Sequence, residues 1–79
     1  MTIRVLFFAY LRERCGREAR LEVADGTSVG AVVRQLREQF PALGETTVRP
    51  AVNHVYVDNT HLLHDNDELA LIPPVSGGS

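Results

Sequence analysis

The chain has 79 residues, 44% hydrophobic and 23% charged, which are the values of one small globular domain rather than a disordered segment. Its net charge of −2 argues against non-specific attraction to nucleic acid or to an anionic membrane. The one cysteine excludes an internal disulfide and a cysteine-built zinc site, and it suits a reducing cytoplasm. A domain of this size buries only about 60–65% of its unfolded surface, so a compact topology or a partner must help stabilise it. All eight basic residues are arginines, so no side-chain amine of this chain can accept an isopeptide bond.

Ile3, Val5 and Phe7 alternate with Arg4, Leu6 and Phe8, a period of two that predicts a first strand. The apolar run Val5 to Leu11 is too short to span a bilayer. It leads into Arg12-Glu13-Arg14 rather than a small-residue cleavage site, so no signal peptide is expected. Ala9 to Arg14 has the composition of a short helix ending near Gly16. Arg17 to Val23 returns to a strand, with Ala19, Leu21 and Val23 on one face, antiparallel to the first.

Asp25-Gly26 marks a turn, and Ser28 is a suitable N-cap. Val29, Val32, Val33, Leu36 and Phe40 then fall on one helical stripe, so the main helix is expected over about 28–40, ended by Pro41. Its valines and Gly30 lower intrinsic propensity, so packing on a sheet must hold it. Ala42 to Pro50 reads as a polar connection. Ala51-Val52-Asn53 and Val55-Tyr56-Val57 are short strand candidates, Asp58-Asn59-Thr60 is a turn, and Leu62-Leu63 is a small cluster packing back. After a turn at Asp65-Asn66-Asp67, the last strand runs from Glu68 to Ile72 and stops at Pro73-Pro74. The order predicts an α+β roll: a mixed sheet with one main helix packed across it, and the first and last strands as parallel neighbours. The domain is expected over 1–74, with a flexible arm over 75–79.

If Ile3, Val5 and Phe7 face the helix, Leu6 and Phe8 point to the other side of the sheet. Leu69 and Leu71 facing inward likewise leave Ala70 and Ile72 outward. Leu6, Phe8, Ala70 and Ile72 should then form one apolar patch at the root of the C-terminal arm, the mark of a partner surface.

Side-chain chemistry is sparse. His54, His61 and His64 have neither helical pair spacing nor a carboxylate set, so no metal site is expected. Asp65-Asn66-Asp67 lacks the glycine and distal glutamate of a calcium loop. Arg14 and Arg17 flank Cys15 and could lower its thiol pKa, but no base or second cysteine accompanies it. No nucleophile triad or phosphate-cradling loop is visible.

Three stretches together resemble the MoaD family, the small sulfur-carrier subunit of molybdopterin synthase. They are Val5-Leu6-Phe7-Phe8-Ala9-Tyr10-Leu11-Arg12-Glu13; Ala51-Val52-Asn53 with Asp65-Asn66-Asp67-Glu68-Leu69-Ala70; and Leu71-Ile72-Pro73-Pro74-Val75-Ser76-Gly77-Gly78. The resemblance spans nearly the whole chain, and the Pro-Pro-Val-Ser-Gly-Gly ending is its most specific part. It implies a ubiquitin-like β-grasp fold and a thiocarboxylate carried on the terminal glycine, here Gly78. It implies that the chain is non-catalytic alone and binds no cofactor. An E1-like activating enzyme of the MoeB class would use ATP to adenylate the carboxylate, and a sulfur donor would displace AMP. The large subunit, MoaE-like and arranged with this one as a heterotetramer, would receive the arm and pass sulfur to cyclic pyranopterin monophosphate.

The residue types suit that chemistry. The terminal glycines minimise bulk where another protein closes on the carboxylate. Pro73 and Pro74 stiffen the exit from the sheet. Val75, Ser76, Gly77 and Gly78, fully extended, reach about 12–14 Å. One departure stands out: Ser79 follows Gly78, so the chain as written is expected not to be adenylated, whereas a form ending at Gly78 is. Sulfur supply for thiamin, cysteine or tRNA thiolation, conjugation to other proteins, and a plain interaction module with an inert tail are the alternatives.

Overall fold

The computed structural model describes residues 1–74. Strands β1 (Thr2–Phe7), β2 (Glu18–Glu22), β3 (Arg49–Val52), β4 (Val55–Tyr56) and β5 (Glu68–Ile72) form one mixed sheet in the order β2-β1-β5-β3-β4. Helix α1 (Tyr10–Cys15) follows β1, and helix α2 (Val29–Gln39) crosses the sheet. The expected pairings are present. β1 is antiparallel to β2 and parallel to β5, with Val5 opposite Leu69 and Leu6 opposite Ala70. The parallel ladder continues one residue past β1, where the Phe8 N–H donates to the Leu71 carbonyl at 3.2 Å.

Alternation along the strands decides which side becomes core. Ile3, Val5, Phe7, Leu69 and Leu71 are all buried on the face that α2 covers. Val29, Val32, Val33 and Leu36 meet them from the helix, as the stripe predicted. Each such side chain contributes about 1.5–3 kcal/mol by leaving water, enough to hold a helix of poor propensity. Ser28 caps that helix, its Oγ accepting from the Ala31 N–H at 3.2 Å. Gly30 has a packing reason. Its N–H donates to the Asn59 carbonyl at 2.9 Å, and a Cβ there would stand 3.1 Å from the Asn59 Cβ.

Several expectations need correction. The connection after α2 is not wholly polar, because a 3-10 turn at Pro41–Leu43 sends Leu43 into the core. β3 begins at Arg49 and includes Pro50, while Asn53 lies beyond it in a turn with φ 50°. The strand tolerates Pro50 because its missing donor falls on the side of the short edge strand β4, just past the strand's end, where the Pro50 carbonyl accepts a bond from the Val57 N–H at 3.2 Å. Leu62 and Leu63 do not act together: Leu63 is in the main core and Leu62 is exposed.

The turn joining β3 and β4 is pinned to β5. Asn53 Nδ2 donates to Asp67 Oδ1 at 2.9 Å, and Asn53 Oδ1 accepts from the Glu68 N–H at 3.0 Å. Asp67 is 8% exposed and also accepts from the His64 N–H at 2.8 Å. Asn53→Ala removes two of these bonds, leaves Asp67 short of a donor, and places alanine at a positive φ. It is expected to lower unfolding free energy by about 2–3 kcal/mol, read as a shifted urea midpoint. An unchanged midpoint would mean that the pinning carries no stability.

Candidate functional site

Among the described residues, no helix covers the sheet face away from α2. The register lines up a row across it: Leu6 opposite Ala70, Ala70 opposite Ala51, and Ala51 opposite Tyr56. The small side chains at 70 and 51 make a floor, and Leu6 and Tyr56 make walls. Phe8 and Ile72 stand one step closer to the C-terminal end of the strands. The result is a trough of about 240 Å³ in which the four expected patch residues Leu6, Phe8, Ala70 and Ile72 come together. Ala51, Tyr56, His54 and Glu68 complete the lining. Tyr56 is 59% exposed, a large aromatic left open to solvent beside the apolar floor.

Charge closes the trough at one end and flanks it at the other. Arg4 lies 3.4 Å from a Glu18 carboxylate oxygen and 3.3 Å from one of Glu68, and Glu68 in turn lies 3.7 Å from His54 Nε2. This ladder crosses the end remote from the C-terminus. At the end where β5 exits, the Arg12 guanidinium sits 5.8 Å from the Phe8 ring centre, and that of Arg49 sits 4.6 Å from the Tyr56 ring centre.

β5 leaves the sheet at this arginine-flanked end. Ile72 is half-buried and paired with Arg49, Pro73 is buried, and Pro74 is exposed. The other arm residues singled out from sequence, Val75, Ser76, Gly77 and Gly78, lie outside the described residues. Any chain leaving Pro74 starts beside the trough, so a protein gripping the trough is positioned to receive the arm.

Other candidate groups stay separate. Among the described residues no three His, Cys, Asp or Glu side chains come together as a metal site. No described helix is long and apolar enough to cross a membrane. Cys15 is partly buried at the end of α1, and burial raises its thiol pKa, outweighing the opposing effect of Arg14. This reverses the expected direction. Alkylation of Cys15 by iodoacetamide near neutral pH is therefore expected to be slower than for a free thiol. Faster labelling than a cysteine peptide would contradict it.

Sequence reasoning found the patch on β1 and β5 because alternation alone places those residues. It missed Ala51 and Tyr56, whose membership depends on which strand lies next to β5. The tyrosine in a short edge strand was the available signal.

The chain matches the ThiS family over residues 5–78. It is 40% identical to the molybdopterin synthase sulfur carrier subunit of Mycobacterium tuberculosis, covering 96% of this chain and 96% of that one. It is equally 40% identical to the subunit of that name from Escherichia coli, covering 96% and 99%. Among solved structures, SAMP1 from Haloferax volcanii superposes with a TM-score of 0.87 at 29% identity, over 99% of this chain and 100% of that one. A chain in the complex of subunits 1 and 2 of the molybdopterin-converting factor from Helicobacter pylori does so with a TM-score of 0.72 at 23% identity, over 99% and 100%. The latter likeness is one of fold alone. Together these neighbours establish the ubiquitin-like β-grasp fold expected from the sequence.

Proposed function

This chain belongs to the ThiS family, and from that premise we propose that it is the sulfur-carrier subunit of a molybdopterin synthase. The observation that carries the proposal is its 40% identity, over nearly the full length of both chains, to curated carriers of that name. The Gly77-Gly78 sequence supplies the reacting end, and the trough at the root of the arm supplies a place to dock.

The chemistry needs no side-chain nucleophile. Once Ser79 has been removed, a carboxylate oxygen of Gly78 attacks the α-phosphorus of ATP on an activating enzyme, and pyrophosphate leaves. Sulfide released by a donor then attacks the resulting acyl-adenylate carbon, the C–O bond to AMP breaks, AMP leaves, and a thiocarboxylate remains with no change of oxidation state. That sulfur is the nucleophile delivered to the pterin precursor, cyclic pyranopterin monophosphate. Acid–base groups for these steps belong to the enzymes that receive the arm. The share of this chain is to present a narrow C-terminus and to fix its origin on a rigid sheet.

The partners are an E1-like activating enzyme and the synthase large subunit, with two small subunits flanking a dimer of large ones. The Helicobacter pylori structure of this fold is a complex of subunits 1 and 2, and we infer the same kind of pairing here. A cytoplasmic location suits the ATP requirement and the single free thiol.

A bacterial strain lacking its own small subunit tests the proposal. Supplied with this chain ending at Gly78, it is expected to regain molybdenum-cofactor synthesis. Accumulation of folded chain without recovery would count against the assignment.

A further inference from the structure

Leu6 and Phe8 are a shared wall. On one side lies the apolar trough, and on the other a second depression of about 230 Å³ lined by Arg4, Arg12 and Arg17, with Glu18 its one carboxylate among the described residues. The three arginines are not equivalent. Arg4 is already compensated by Glu18 and Glu68. Arg12 and Arg17 make no ion pair among the described residues. Among the described residues, two guanidiniums without an ion pair thus line one depression at the root of the arm, on a chain whose net charge is −2.

Arg12 is also held in place. Ala9 takes φ 53°, a conformation that costs an alanine about 1–2 kcal/mol, and so turns the chain sharply from β1 into α1. The turn is closed by the Leu11 N–H on the Phe8 carbonyl at 3.1 Å and the Arg12 N–H on the Ala9 carbonyl at 3.0 Å. It folds Arg12 back over the Phe8 ring, with Nε donating a long bond of 3.5 Å to the Phe7 carbonyl. A planar guanidinium fixed in this way is prepared to hold a carboxylate through two parallel bonds.

We propose that this basic depression receives an aspartate or glutamate side chain of the same partner protein that lays apolar side chains in the adjoining trough. The proposal rests on the reading of that trough as the docking face for the synthase large subunit. The occupant is a protein carboxylate because the shared wall makes the two depressions one surface. A free phosphate or nucleotide would engage the arginines and leave the trough uncovered, and Glu18 at the edge repels a dianion more than a single carboxylate. An acidic anchor on one side and an apolar insert on the other fix how the partner is turned, and so where it finds the arm leaving Pro74.

Calorimetric titration of the full chain with its large subunit, at low and at raised salt, tests this. Arg12→Ala/Arg17→Ala is expected to bind roughly tenfold or more weakly at low salt, with a flatter salt dependence than the unmodified chain. Arg12→Lys keeps the charge but not the planar fork, and should fall between them. Ile72→Ala should weaken binding with the salt dependence unchanged. Thermal melts confirm that each variant is folded. If the double arginine variant binds like the unmodified chain at both salts while Ile72→Ala is weakened, the carboxylate anchor is wrong and the docking face stands. If neither change weakens binding, the docking face itself is wrong.

Discussion

A chain ending at Gly78 is expected to exchange one carboxyl oxygen for sulfur when incubated with its activating enzyme, ATP and a sulfur donor; the form ending at Ser79 is not. The reason is covalent before it is structural. With Ser79 attached, the Gly78 carbonyl belongs to a peptide bond, which offers no carboxylate oxygen to attack ATP. The free carboxylate is then one residue further on, a displacement of up to about 3.3–3.6 Å per added residue, and its residue carries a hydroxymethyl group. Misplacement by about 1 Å can cost a factor of about 100 in an enzyme site, so loading of the Ser79 form should be slower by at least that factor. Intact-protein mass spectrometry reads the outcome directly. Equal loading of the two forms would place the reacting carboxyl elsewhere than Gly78.

The second large effect is on docking. Leu6→Asp puts a carboxylate on the wall of the apolar trough, opposite Ala70, where a partner must exclude water. Affinity for the large subunit should fall by about 100-fold or more. Leu6 is only partly buried in the free chain, so unfolding free energy should change by no more than about 1 kcal/mol. Val5→Asp, one residue earlier, is the contrast. Val5 is fully buried against α2, and an unpaired carboxylate there is expected to unfold the protein. If Leu6→Asp unfolds the chain as Val5→Asp does, the exposed face is a second core. If it folds and binds normally, the trough is not the docking face.

The opposite fates of these neighbours show what was legible in the sequence. Period-two alternation in β1 and β5 separates core from patch without any knowledge of strand order. The 3.6-residue stripe gives α2, with Ser28 and Pro41 marking its ends. What escaped was non-local. Nothing in Ala51 or Tyr56 states that β3 pairs with β5, and only that pairing brings Tyr56 to the trough. Pro50 reads from sequence as part of the preceding connection and not of β3, because the side on which its missing donor falls is a property of the sheet. Leu43 went unseen since a single 3-10 turn is too short to have a period. Read from sequence, Arg12 has no role of its own, because its place over Phe8 depends on the positive φ of Ala9, an unfavourable backbone choice that composition does not announce.

Reconstitution of the synthase from purified components is the sharpest test of sulfur carriage at Gly78. Cyclic pyranopterin monophosphate is mixed with the large subunit and with this chain ending at Gly78, loaded beforehand with sulfur, in the absence of any other sulfur source. Molybdopterin is expected in proportion to the thiocarboxylate supplied, and none from the same chain lacking Gly77 and Gly78. Equal product from the truncated chain would contradict a carrier role for the glycine end.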